Sequence, residues 1–188
     1  MTKFLETLRI LTLTAGVALG LVAAASGGAL ADCPVLLTVT GKLDNPNRGG
    51  FDADADKFFG YYDVEFDKAR SFSCVDLDKL TPVSVRADFP AGKNVHTYDG
   101  VLLADVLAAA GATGDKVTVQ ALDGYAVEVS LAEMVEKGAV VALKRDGESF
   151  GIGGFGPTQI VFPRADRADL KDMNDDWWVW SIFHIRVE

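Results

Sequence analysis

The last stretch of the chain, Trp177 to Val187, contains three tryptophans, a phenylalanine and two isoleucines in eleven residues. In an extended strand successive side chains point to opposite faces. Trp178, Trp180, Ile182 and His184 then share one face, and Trp177, Val179, Phe183, Ile185 and Val187 the other. Both faces are largely apolar, which predicts a central strand covered on both sides. Most of this indole belongs to a core. Trp178, next to the acidic segment Asp172–Asp176, is the one placed at a cleft edge.

Elements of two periods precede that strand. Val35 to Gly41 reads as a strand that ends on a glycine turn, and Val83 to Arg86 alternates like a strand. Val75 to Leu80 reads as a short helix stopped by Thr81-Pro82, because the residue before proline disfavours helix. Leu102, Leu103, Val106, Leu107 and Ala110 make one apolar helical stripe, with Asp99 as the expected cap and Gly111 at the left-handed C-terminal position. Val117 to Ala121, the Asp123-Gly124 turn and Tyr125 to Val129 form a hairpin. Ser130-Leu131-Ala132-Glu133 is a capping box opening a helix to Lys137. Ala139–Lys144, Thr158–Phe162 and Trp177–Val187 are the remaining strands, and 44–59 reads as an irregular acidic excursion. Hairpins interrupted by helices predict an α+β fold, mixed sheets with helices packed alongside.

Lys3 and Arg9 precede an apolar run, Ile10 to Leu30, that ends in Ala29-Leu30-Ala31. This is the pattern of an export signal, cleaved after Ala31; a retained membrane anchor is the other reading of so long a run. Asp32 before Cys33 disfavours lipidation of that cysteine. The expected organisation is a signal peptide, 1–31, and one domain, 32–188, with no membrane span after cleavage. The 18 basic and 27 acidic residues of the whole chain lose Lys3, Arg9 and Glu6, which leaves 157 residues with a net charge of −10. Such a charge disfavours nucleic acid and anionic membranes and suits a cationic patch on a protein partner. Cys33 and Cys74 remain. An even count in an exported chain suggests a disulfide, and two buried thiols are the alternative.

Four segments in order carry a resemblance: Thr97-Tyr98-Asp99-Gly100-Val101-Leu102, Asp123-Gly124-Tyr125, Gly156-Pro157-Thr158-Gln159-Ile160-Val161 and Trp178-Val179-Trp180-Ser181-Ile182. Together they resemble the molybdopterin-binding domain of the sulfite-oxidase fold, over most of the chain from Leu36 onward. In catalytic members a cysteine thiolate upstream of the Tyr-x-Gly-Val segment ligates molybdenum. The corresponding segment here, Val83 to Pro90, has no cysteine. The resemblance therefore implies a pterin-binding scaffold without the metal chemistry. Some small exported members look like pterin-binding sensors acting on membrane-bound signalling enzymes that make or degrade cyclic di-GMP. A periplasmic regulator of this kind is the expected function. It would bind a tetrahydropterin-like ligand in preference to molybdopterin and hold no cofactor tightly. Its partner would be the periplasmic domain of a membrane signalling protein. A molybdopterin-dependent oxidoreductase and a ligand-free periplasmic interaction module are the alternatives.

The resemblance brings Val83–Pro90, Asp123–Tyr125, the glycine-dense loop Gly151–Pro157 and the start of the last strand to one cleft. The expected ligand-binding residues are Asp88, Phe89, Tyr125, Phe155 and Trp178, with Arg86 at the edge. A pterin offers a flat ring and a guanidine-like edge. A carboxylate accepts two hydrogen bonds from such an edge, and an aromatic side chain stacks on the ring. Asp88 and Phe89 supply both side by side, with Asp123 the next carboxylate. Each has a plainer reading: Asp88 before Phe89-Pro90 as a turn residue, Tyr125 as core, the glycine loop as a hairpin tip. Arg164 and Arg167 read as surface ion-pair residues, with an acidic ligand tail as the alternative partner, and His96 as an exposed loop residue. Asp52, Asp54, Asp56 and Asp63 match calcium-loop positions, but Lys57 stands at the glycine position, so a solvated acidic loop is expected. His96 and His184 without a Cys-x-x-Cys give poor support for zinc or haem.

Overall fold

The computed structural model describes residues 33–188. The expected signal peptide and its cleavage site fall outside them. Two five-stranded sheets hold the described chain together. The first runs β2 (Ala69–Ser73), β1 (Val35–Gly41), β10 (Ile182–Val187), β5 (Lys116–Ala121), β6 (Ala126–Ser130). It is mixed: β10 lies parallel to β1 and antiparallel to β5. The second runs β3 (Pro82–Ala87), β4 (His96–Leu102), β7 (Val140–Arg145), β8 (Glu148–Ser149), with β9 (Gln159–Val161) also paired to β7, and it is antiparallel throughout. Helices α1 (Lys57–Tyr61), α2 (Cys74–Asp78), α3 (Leu103–Ala110) and α4 (Leu131–Glu136) join them. The architecture is α+β, as the pattern predicts.

Centrality of the last strand is as predicted, but its length is not. Ile182, His184, Ile185 and Val187 are buried in β10. Residues 177–180 leave the ladder, because Ser181 takes a positive φ of 53°. Its N–H donates to Phe155 O and its hydroxyl to Gly154 O. The tryptophans therefore do not alternate across a sheet. Trp178 is sealed at 1 % exposure while Trp180 lies open at 39 %.

Asp99 is not a helix cap. It lies inside β4, paired with Ser84 and Lys144. Leu102 occupies the cap position of α3 without a side-chain hydrogen bond, and Leu103 N donates to Ala139 O instead. The apolar stripe is as read: Leu103, Val106, Leu107 and Ala110 are buried, and Gly111 takes φ 66°. The Ser130 hydroxyl accepts from Glu133 N, giving half of the expected box. A full capping box, Ser73 with Asp76, opens α2. Such a cap is worth about 1 kcal/mol. The acidic excursion contains α1, anchored by buried Phe59. Within it Asp56 is 8 % exposed and accepts from Arg48 and from Asp52 N. Among the described residues no group of His, Cys, Asp and Glu is arranged to hold a metal ion.

Cys33 and Cys74 form a disulfide that joins the start of the described chain to α2. No described helix is long and apolar enough to cross a membrane. One apolar core gathers both sheets, with Leu37, Val39, Phe72, Tyr98, Ile160 and Trp178 among its members.

Candidate functional site

The β5–β6 hairpin positions one side of the candidate cleft. Its tip needs Gly124, whose φ is +91° and over which the Tyr62 ring lies within 3.2 Å of where a Cβ would stand. Asp123 closes the turn by accepting the Tyr125 N–H at 2.9 Å. Tyr125 is half exposed, and its hydroxyl donates to Asp176 O at 3.0 Å. That bond ties the hairpin to the segment 172–178, which forms the opposite side.

Between them lies a cleft of about 350 Å³, lined by Phe89, Asp123, Tyr125, Asp176, Trp178 and Trp180, among others. Phe89 and Trp178 stack at 5.6 Å with planes 12° apart. Phe155 meets Phe89 edge-on at 5.8 Å and Trp180 edge-on at 6.3 Å. The Arg145 guanidinium lies 5.0 Å from the Phe155 centroid. The aromatic wall is thus preassembled. Its accessible surface belongs to Tyr125, Trp180 and part of Phe89, since Trp178 is nearly sealed.

Arg164, 6 % exposed, organises the cleft from behind. Its Nε donates to Asp88 Oδ1 at 2.6 Å and its Nη1 to Asp175 Oδ1 at 2.8 Å. Nη1 and Nη2 also donate to Met173 O and Asp88 O. Its guanidinium carbon sits 4.4 Å from the Trp178 centroid. Burying an arginine is tolerated when every donor is matched and the charge is paired. Burial alone would raise the Asp88 carboxyl. Arg164 and the Gly92 N–H outweigh it and hold the group below the ordinary carboxylate range. Asp175 Oδ2 accepts from Ala91 N at 2.7 Å, fixing the loop after Phe89.

The structure brings Phe89, Tyr125 and Trp178 together at this cleft, with Phe155 packed on Phe89. Asp88 lies behind it, committed to Arg164 and Gly92. Arg86 is exposed; its backbone N–H and its guanidinium both go to Asp166, and it does not line the cleft. The glycines of 151–157 do not line it either. Arg164 forms ion pairs as read, but buried ones, while Arg167 pairs with Asp169 at the surface. Sequence reasoning passed over Trp180, Asp175 and Asp176. The signal for Trp180 was its neighbour Ser181, a small polar residue between large apolar ones, at which the alternation breaks.

A molybdenum centre of the kind the resemblance implies needs a thiolate. Both cysteines are joined to one another, and no free cysteine exists. Neither β3 nor the loop after it supplies a soft donor. The donor set does not fit the metal.

No protein-family model matches the chain, and no curated protein matches it. Among solved structures it is similar to the sulfane dehydrogenase SoxCD from Paracoccus pantotrophus. The TM-score is 0.53 at 14 % identity, over 81 % of this chain. The match spans 38 % of the SoxCD chain. At that identity the likeness shows the fold, and the fold is the sulfite-oxidase type that the sequence resembles.

Proposed function

We propose that this chain is an exported pterin-binding protein that performs no redox turnover and acts as a periplasmic sensor or regulator. The cleft of about 350 Å³ that Phe89, Tyr125, Trp178 and Trp180 share with Asp123 and Asp176 carries the reading. Aromatic surface beside carboxylates suits a flat heterocycle with a donor-rich edge. Asp123 spends one oxygen on the Tyr125 N–H and Asp176 one on Asn174, which leaves each an oxygen for a ligand. Asp88 stabilises the wall through Arg164, and it meets the ligand only if the loop after it shifts.

The disulfide fits an oxidising compartment outside the cytoplasm. Regulation of a membrane-bound cyclic di-GMP enzyme comes from the sequence resemblance alone. The oxidoreductase alternative draws on the likeness to SoxCD, and the paired cysteines count against it.

Titration of the exported protein with tetrahydrobiopterin tests the reading. The expected results are saturable quenching of tryptophan fluorescence and a rise in melting temperature, with no molybdenum by elemental analysis. An unchanged spectrum and melting curve at saturating pterin would refute the ligand. Stoichiometric molybdenum would make the oxidoreductase the leading function.

A further inference from the structure

A second concavity lies on the other side of the β5–β6 turn from the cleft. It is an apolar groove of about 360 Å³, lined by Val35, Phe58, Phe59, Ile152, Pro157 and Phe183, among others. Three of these are unusually open for apolar side chains: Val35 and Phe58 at 57 % and Ile152 at 81 %. They converge from three elements, β1, α1 and the glycine-dense loop, so this is one built surface rather than scattered exposure. Contiguous exposed apolar surface of this kind marks an interaction site.

The polar groups at the groove are already matched. Thr38 pairs with Ser71, Asp56 with Arg48, and Lys57 donates to Ala53 O. A heterocycle with several donors and acceptors would lose its water there and gain no partner, at a cost. An aliphatic or aromatic side chain loses nothing. The edge beside Ala55 is acidic on balance: Asp52, Asp54 and Asp56 stand there against Lys57 and Arg48. Asp54 is fully exposed. A second copy of this chain would bring the same acidic rim and the same negative charge, and like charges face each other at a cost.

We infer that this groove docks a protein segment whose apolar side chains are flanked by lysines or arginines. The inference deepens the regulator reading, on which it rests for its purpose, by naming the surface and the chemistry of the partner. Apolar anchors supply the contact, and the acidic rim selects for a cationic surround.

The test uses protein recovered after export and a synthetic amphipathic leucine–lysine helix of about 15 residues as probe. Binding is read by calorimetry, with a leucine–glutamate peptide as control. The leucine–lysine peptide is expected to bind and the control not to. Ile152→Ser and Phe58→Ser are expected to weaken binding about tenfold or more. Both residues are exposed, so the melting temperature should hold. Tetrahydrobiopterin quenching should be unchanged in both variants, which separates the two claims: loss of pterin binding alone would remove the ligand and leave the groove standing. Equal affinity of the variants and the parent would reduce the contact to bulk charge attraction and overturn the inference. So would a concentration-dependent dimer abolished by Ile152→Ser, which would make a second copy the occupant. Failure of the parent protein to bind the peptide would overturn it as well.

Discussion

The Arg164 guanidinium lies over the Trp178 indole, 4.4 Å from the ring centroid, and both side chains are almost sealed from solvent. A charge in that position needs its counterions. Asp88 and Asp175 supply them from two loops that otherwise share no ladder. The stack of Phe89 on Trp178 then follows, because Asp88 and Asp175 fix the backbone on either side of Phe89.

Asp88→Ala should therefore act first on stability. Breaking a buried pair by removing one partner costs about 3 kcal/mol, with Asp175 left to hold the guanidinium. For a chain of this length that lowers the melting temperature by roughly 6–12 °C. Arg164→Met, of similar length and uncharged, should cost less than the Asp88 truncation, because it strands no buried cation. Calorimetry of the two variants checks the order. A melting temperature unchanged in Asp88→Ala would mean that the ion pair is not structural, and the carboxylate would be free for a ligand.

His184 sets a pH dependence. It is 2 % exposed, its Nδ1 faces Gln120 Oε1 at 3.0 Å and its Nε2 faces Thr40 Oγ1 at 2.7 Å. The neutral ring satisfies both: Nδ1–H donates to the amide oxygen, and Nε2 accepts from the hydroxyl. Burial, with Arg186 adding to it, pushes the imidazole down to about 3. The unfolded chain binds this proton near pH 6.5 and the folded chain only near 3. The stabilisation is complete above about pH 6.5 and is lost progressively as pH falls towards 3. Denaturant midpoints measured between pH 7 and 4 should fall, and in His184→Gln they should fall less steeply. Parallel slopes would show that other groups govern the acid limb. Asp88 and Asp56, both held below the ordinary range, add losses of the same sign at lower pH.

The disulfide closes a loop of 41 residues between Cys33 and Cys74. Cross-linking a loop of that size stabilises a fold by about 2–4 kcal/mol. The paired Cys33→Ser, Cys74→Ser variant should lose that amount in urea unfolding. Its tetrahydropterin affinity should be unchanged, because neither cysteine lines the cleft. Loss of pterin binding in a variant that remains folded would place the bond in the site.

Trp180 should report the ligand. It is the exposed tryptophan at the cleft, whereas Trp178 is sealed beneath it. Trp180→Phe should remove most of the ligand-dependent quenching while weakening binding only modestly, since the ring still stacks. Trp180→Ala should weaken binding by about 1 kcal/mol or more, fivefold or greater in Kd. Full quenching retained in Trp180→Phe would assign the signal to another indole.

The fold was readable wherever local chemistry and burial agree. The α3 stripe, the Asp123-Gly124 turn and the two-faced last strand each carry a period or a turn residue that needs no tertiary context. Asp99 misled because an aspartate before an apolar helix looks like a cap, yet its neighbours in β3 and β7 hold it in a ladder. The break at Ser181 was hidden because an apolar run reads as continuous strand whether or not its backbone turns. At the cleft, Phe89, Tyr125 and Trp178 meet as the resemblance implies, while Trp180 was passed over because it reads as one more residue of an apolar strand. The role of Arg164 was not legible, since nothing local tells a buried arginine from a surface one. Its burial depends on Asp88 and Asp175, 76 and 11 residues away.

The cleft and the groove share a wall, so their ligands should be coupled. Leu122 lines the groove and Asp123 the cleft, on consecutive residues of one turn. Ile152 and Pro157 line the groove, while Phe155 between them packs on Phe89 and Trp180. Tyr62 braces the turn, donating its hydroxyl to Leu122 O and laying its ring over Gly124. A ligand that fixes Asp123 and Trp180 restricts the elements that a partner must meet. The coupling is reciprocal in free energy, and a typical size is about fivefold or more in affinity. Saturating tetrahydrobiopterin should therefore shift the Kd of the leucine–lysine peptide, and saturating peptide should shift the pterin Kd by the same factor. Tyr62→Phe should shrink both shifts together, because it frees the Leu122 carbonyl while keeping the ring over Gly124. Identical peptide affinity with and without pterin would sink the coupling.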